Sequence, residues 1–300
     1  MTAGGRHLWL EVTPRCNARC LYCYNVWRAP SGAYRATEPS PGTLETILEA
    51  AVARLNPSAL TLSGGEPLLR DDVETLAARA RALAPGLEIQ LTTNGTLLTP
   101  ERARSLKAAG VSHVLVPLLS DRRETQTELM GLDTCDAACR AILRARAEGL
   151  AACAVFVATR RNLPELAGAF RTALALGADE WMFLRYLPGG SGLSNTERLM
   201  PSAVAIAEGL AEAERLGLES GLAVTCGEPV PPAWLEGRRF HHVRFARCGA
   251  GSARLAVDPE GRVRPCEQDS RVLGNVLDPG FRLPEPSARD CAGCHLVDAA

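Results

Sequence analysis

Lysine is nearly missing from this chain: Lys107 is the single lysine among 33 Lys and Arg residues. Covalent catalysis through a lysine amine is accordingly a poor expectation. Basic runs are missing as well, and the formal net charge is -1. Nucleic-acid binders carry a basic patch or stripe, so nucleic acid is not an expected partner. No apolar stretch approaches the roughly 20 residues that span a bilayer. Met1 to His7 lack the apolar region of a secretory signal. A cytoplasmic protein with no membrane partner is the expectation.

The chain does have enough apolar residues, 46% of 300, to bury a large core. Strands are expected from His7 to Val12, Ala59 to Ser63, Glu88 to Thr93, Val111 to Leu118, Ala151 to Ala158 and Glu180 to Leu187. Helices are expected from Thr43 to Leu55, Asp71 to Ala84, Thr99 to Ala109, Cys135 to Glu148, Leu163 to Leu176 and Pro201 to Leu216, with Pro201 in the first helical position. This alternation argues for a parallel sheet with βαβ crossovers. Six units are too few for a closed eight-fold barrel, so a partial (β/α)6 TIM-type barrel of the α/β class is expected. After Leu218 the alternation stops, and Pro, Gly and Cys rise. The expected domains are residues 1–217 and residues 218–300. In the second, Arg254 to Val257 and Arg262 to Arg264 flank a Pro-Gly turn and read as a hairpin.

The 11 cysteines are clustered. Cys16, Cys20 and Cys23 fall on the loop after the first strand, and Cys248, Cys266, Cys291 and Cys294 lie in the last fifth of the chain. In a cytosolic protein such clusters point to metal binding or catalysis rather than disulfides. Three thiolates on a short loop hold three irons of a [4Fe-4S] cube and leave the fourth iron open. The competing reading is zinc, which takes four N or S ligands and could recruit His7. The second set alone suits a zinc ribbon as well as an iron–sulfur cluster.

The C-x3-C-x2-C spacing, with Tyr22 before the third cysteine, resembles the radical S-adenosylmethionine superfamily. Gly64-Gly65-Glu66-Pro67 after the second strand matches that family's GGEP element, and Thr92-Thr93-Asn94-Gly95 closes the third strand as another recurring element. The resemblance implies two [4Fe-4S] clusters and S-adenosyl-L-methionine as cofactors, with an electron donor such as flavodoxin or ferredoxin. In the family, the open iron is chelated by the methionine end. One electron then cleaves the cofactor to a 5′-deoxyadenosyl radical, which takes hydrogen from a substrate carbon. By resemblance, Gly64, Gly65, Glu66 and Pro67 serve the methionine end, with the glycines letting backbone approach it. Tyr22 places its backbone near adenine, and Thr93 and Asn94 lie near ribose or methionine. Arg185 faces the cofactor from the sixth strand. Where relatives carry a ribose-contacting Ser in the fourth strand, this chain has Pro117, so Ser120 is the candidate substitute. The second cysteine set, with Gly274-Asn275-Val276, resembles a twitch domain, a small C-terminal hairpin and helix unit holding one auxiliary [4Fe-4S] cluster.

Cys135 and Cys139 read as packing or surface residues, and Cys153 as facing the barrel interior. Cys226, beside the auxiliary domain, is a candidate hydrogen-atom donor to a substrate radical; Cys248 is a second candidate. Either Cys226 or Cys248 would then complete the auxiliary cluster. The core begins near residue 7 without a module for gripping a leader peptide, so a small-molecule substrate is expected. The resemblance to sugar- and aminoglycoside-modifying members implies an epimerase of the neomycin type. The alternatives are a dehydrogenase passing its electron to the auxiliary cluster, a peptide maturase, and a non-catalytic zinc protein. Glu11, Asp121 and Glu228 are possible carboxylates for a cationic substrate.

Overall fold

Apolar residues recur at every second position of the strands and fix which face each one buries. In β1 (Arg6–Thr13), Leu8, Leu10 and Val12 are fully buried on one face, while His7 and Trp9 face the other way, into a cavity. The computed structural model describes residues 5–235 and 237–285. After β1 come α1 (Pro41–Leu55), β2 (Pro57–Gly64), α2 (Val73–Leu83), β3 (Glu88–Thr92), α3 (Pro100–Ala108) and β4 (Val111–Pro117). Then follow α4 (Arg123–Met130), α5 (Cys135–Ala147), β5 (Ala151–Ala158), α6 (Leu166–Ala175), β6 (Glu180–Arg185), α7 (Thr196–Leu199) and α8 (Ala203–Ser220). The chain continues through β7 (Ala223–Cys226), β8 (Val243–Phe245), β9 (Arg254–Val257), β10 (Arg262–Arg264) and β11 (Gly274–Asn275).

Local chemistry sets the helix starts. Ser40 and Thr99 cap α1 and α3 by accepting the N–H groups of Thr43 and Arg102, each at 3.2 Å, and a proline follows each cap. Pro201 does not open α8 as expected. Ser202 is the cap, accepting from Ala205 N at 3.1 Å, and the helix begins at Ala203.

All strands of the described residues belong to one sheet in the order β11-β10-β9-β1-β2-β3-β4-β5-β6-β7-β8. Strands β1 to β8 pair parallel, as crossover helices require. The six expected units are present, and the α/β class and partial barrel hold. The parallel run extends further than expected: β7 and β8 continue it past Leu218 in the same sheet. Both are too short for their periodicity to stand out. The expected hairpin forms, with β9 antiparallel to β10, and β9 also pairs parallel with β1.

The helices cover one face of the sheet, and the main apolar core lies between. At its thickest part Phe156, Phe170, Trp181 and Phe183 pack with ring centroids 5.3 to 6.2 Å apart. The other face curls around a cavity of about 300 Å³, walled by side chains from β1, β3, β4, β5, β6 and β7.

Candidate active site

The three N-terminal cysteines follow β1, and all three line the cavity. Their loop is held by its backbone. At the end of α4 the carbonyls of Leu129 and Met130 accept the N–H groups of Leu21 at 2.9 Å and Arg19 at 3.1 Å. On the other side, Ser191 donates to the Cys20 carbonyl at 3.1 Å, and Gly192 N donates to the Cys23 carbonyl at 3.0 Å. Tying down the backbone leaves the thiols for the cavity. Burial raises the pKa of all three thiols, and for Cys20 the neighbouring sulfurs of Cys23 and Cys16 raise it further. Such a crowded set ionises readily only beside a strong positive charge, which iron supplies.

The donor set suits a cube better than zinc. Three thiolates hold three irons of a cube and leave the fourth iron open, whereas structural zinc takes a fourth N or S ligand. His7 cannot complete a site with these cysteines. It lies at the start of β1, about 20 Å from Thr13 at roughly 3.3 Å per residue. There it stacks on Trp9 and shares a 2.7 Å hydrogen bond with Thr61 Oγ1.

The GGEP and TNG segments meet at Glu66. This carboxylate, 1% exposed, accepts from Leu68 N at 3.1 Å, Thr93 Oγ1 at 2.8 Å and Asn94 N at 2.7 Å. Burial raises its pKa, opposed by these donors. Asn94 Nδ2 in turn donates to Asn17 Oδ1 at 2.7 Å, reaching the cysteine loop between Cys16 and Cys20. Glu66 therefore welds the second and third strand ends together, and Asn94 ties them to the cysteine loop. The glycines also serve the packing of this site. A Cβ on Gly65 would lie 2.5 Å from the Arg15 carbonyl carbon and would overlap its oxygen. One on Gly64 would overlap the Thr13 carbonyl. Gly65 N donates to Thr13 O at 2.7 Å, and Glu66 N to Arg15 O at 2.8 Å. The missing side chains let the GGEP backbone pack on the cysteine loop.

Tyr22, Thr93, Asn94, Arg185 and Glu66 all line the cavity, as do Gly64 and Gly65; Pro67 is buried behind them and starts a short 3-10 turn. Arg185, at the end of β6, lies over the Trp234 ring, 5.3 Å from its centroid. Ser120 is not on the cavity wall. It hydrogen-bonds Glu165, which also accepts from Thr125 at 3.0 Å, so its hydroxyl is held behind the fourth strand. Pro117 lines the cavity instead. Asp121 is exposed and packs beside Gly168. Glu11 is buried in an ion pair with Arg264 that fastens the hairpin to β1.

Cys226 is also turned away. Thr225 and Gly227 line the cavity, and Cys226 between them points into the core beneath the helices. Its thiol donates to the Glu228 carbonyl at 3.3 Å, and burial pushes its pKa up to about 12. Strand alternation is the physical reason. Cys153 shares the inward face of β5 with Val155 and packs with Leu115. Cys135 and Cys139 are half-buried on α5.

In the second set, exposed Cys248 and buried Cys266 share a small second cavity with Glu228 and Glu267. Cys291 and Cys294 lie outside the described residues. Sequence reasoning named Glu228 but missed Arg254 and Glu267, which with it form the wall between the two cavities. Arg254 pairs with Glu267 at 2.5 Å, stands 3.7 Å from Glu228, and lies over the Trp9 ring. No local motif announces these residues, because three different strand ends bring them together.

The family model for the radical SAM superfamily matches residues 10–162. The chain is 31% identical over 278 residues to PqqA peptide cyclase of Gluconobacter oxydans, covering 92% of this chain and 73% of that protein. The chain belongs to the radical SAM superfamily. As a radical SAM enzyme it uses S-adenosylmethionine and a [4Fe-4S] cluster; the cluster, when bound, supplies the electron that cleaves the cofactor. A second relative is the probable GTP 3′,8-cyclase of Aeropyrum pernix, 34% identical over 286 residues, 87% of this chain and 73% of that one. Among solved structures, Streptococcus suis SuiB bound to precursor peptide SuiA shares the radical SAM fold, with a TM-score of 0.74 at 15% identity over 94% of this chain. The chain spans 65% of SuiB's length.

Proposed function

We propose that this radical SAM enzyme modifies a peptide, replacing the small sugar expected from the sequence. The observation that carries this is the 31% identity to PqqA peptide cyclase along 92% of the chain. The turn of Cys226 away from the cavity supports it, because a thiol-donating epimerase loses its first donor candidate. The cavity wall suits apolar side chains: Leu115, Val155, Val157, Met182 and Leu184 form much of it.

In this reading Cys16, Cys20 and Cys23 hold the cluster. The hub of Glu66, Thr93 and Asn94 fixes the strand ends that cradle the methionine moiety, and Tyr22 and Arg185 wall the rest. Cys248 and Cys266, with Cys291 and Cys294, hold an auxiliary cluster in a C-terminal unit from residue 218. An external electron donor of the flavodoxin or ferredoxin kind completes the system.

The test is substrate-dependent release of 5′-deoxyadenosine by anaerobically purified protein given S-adenosylmethionine and dithionite. Precursor peptides encoded beside its gene should raise the release and change in mass. If GTP or a neomycin-type aminoglycoside does so and peptides do not, the proposal fails. Iron analysis tests the auxiliary cluster: about eight irons per chain is expected for two cubes, and about four refutes it.

A further inference from the structure

The loop that leads through β8 is basic, and its charges are unmatched. Gly237 to Cys248, just after Glu236, hold four arginines and no Asp or Glu. Arg238, Arg239, Arg244 and Arg247 are all exposed. Among the described residues none of the four has a side-chain hydrogen bond or an ion pair. Arg254, Arg262 and Arg264, a few residues on, each pair with a carboxylate.

Three contacts pin this loop beside the cavity. Before its first arginine, the Trp234 ring lies under Arg185, which lines the cavity. In the middle, Glu214 of α8 accepts the N–H groups of His241 at 2.6 Å, His242 at 3.0 Å and Val243 at 2.7 Å. That carboxylate therefore serves the backbone and not the arginines. At the end, Ala246 N donates to the Cys226 carbonyl at 2.8 Å, and Ala246 and Arg247 join the cavity wall. Arg247 both lines the cavity and is exposed, so it stands where the cavity opens. Strand β8 ends the sheet, and Arg244 pairs in register with the cavity-lining Thr225. Alternation turns Arg244 to the same side.

We propose that these four arginines form a rim that binds a run of Asp or Glu side chains in the peptide substrate, next to the residue that enters the cavity. The inference rests on the reading of the substrate as a peptide and adds which peptides fit. Arginine suits the task because its planar fork matches a carboxylate. Nucleic acid fits less well: its binders typically neutralise about 6 to 10 phosphates, and this chain has a net charge of -1.

The experiment measures fluorescence anisotropy of labelled peptides of about 12 residues, long enough to span the rim, with anaerobic holoenzyme and S-adenosylmethionine. The probes alternate Ala with Glu, Gln or Lys. Each exposed ion pair is worth a factor of about two, so the Glu probe should bind roughly tenfold tighter than the Gln probe, and the Lys probe weakest. Raising NaCl from about 0.05 M to about 0.5 M should erase the preference. Arg244→Gln/Arg247→Gln should lose about fourfold of it, whereas Arg140→Gln/Arg171→Gln, exposed on α5 and α6, should keep it. Equal losses in the two pairs show net charge alone at work and overturn the proposal. Equal binding of the Glu and Gln probes by wild type overturns it whether or not the variants fold. Unchanged peptide affinity in the Arg244/Arg247 pair, with reduction by flavodoxin lost, assigns the rim to the electron donor and overturns it too. Precursor peptides that raise 5′-deoxyadenosine release without any preference for the Glu probe refute the rim and leave the peptide reading standing. If GTP raises the release and peptides do not, the peptide reading fails and the rim with it.

Discussion

Gly65→Ala changes the protein by one methyl group and strikes the join between the GGEP segment and the cysteine loop. The new Cβ would sit 2.5 Å from the Arg15 carbonyl carbon and 3.1 Å from Cys16 Cβ. Ordinary carbon–carbon contact is about 3.5 to 4.0 Å. Arg15 must therefore retreat by about 1 Å, carrying Cys16 with it. The retreat weakens the Glu66 N to Arg15 O bond, now 2.8 Å, at about 1 kcal/mol. Overpacking adds about 1 to 3 kcal/mol. The sum, roughly 2 to 4 kcal/mol, lowers Tm by several degrees for a chain of this size. The functional loss is larger, because a misplacement of about 1 Å at a reacting centre costs on the order of 100-fold. The assay is iron retained after anaerobic reconstitution, then 5′-deoxyadenosine formation in uncoupled turnover. Gly86→Ala is the control, since nothing lies within 4 Å of its Cβ. If Gly65→Ala retains full iron and cleaves the cofactor at the wild-type rate, the close-approach argument is wrong.

Other substitutions test other parts of the structure. Cys226→Ala, in the core behind the sheet, should retain the clusters and turnover and lower stability by about 1 kcal/mol; a dead but fully loaded variant would restore the hydrogen-donor role. Glu11→Ala leaves Arg264 buried without its partner and should cost about 3 to 5 kcal/mol in chemical denaturation, whereas an effect under 1 kcal/mol would mean that the pair contributes little. His7 titrates near 4 rather than 6.5, because burial and then Arg254 disfavour its charged form. The unfolded chain therefore binds the extra proton first, and stability present above pH 6.5 falls as pH drops towards 4. The ring faces the cavity, so the full value of about 3 kcal/mol is discounted to about 1 to 2 kcal/mol. His7→Gln should flatten the stability–pH curve in that window, and an unchanged slope would refute the assignment.

Much of this was legible in the sequence because it is local. The cysteine spacing, GGEP and TNG each occupy a few consecutive residues at strand ends, and periodicity placed those strands within two residues or so. The misplaced residues depend on facing. Cys226 lies on a strand of four residues, too short for alternation to show which side is inward. Ser120 lies just past β4, and only the partner Glu165, 45 residues on, shows where its hydroxyl is held. The Glu66 hub draws donors from two turns, and a motif cannot reveal how those turns converge.

The pairing of β9 with β1 has a consequence for the order of folding. Arg6 at the start of β1 donates to the Ser252 carbonyl, 246 residues away in the chain, at 2.9 Å. During synthesis the strand that presents the cysteine loop emerges well before β9, so one of its edges stays uncovered until the chain from β1 through Val257 has emerged. Contacts of such separation slow folding, and an uncovered edge invites wrong pairing. Cluster insertion into a nascent chain would therefore meet a loop supported on one side only. Expression conditions that delay iron delivery until β9 has docked should improve the yield of loaded protein.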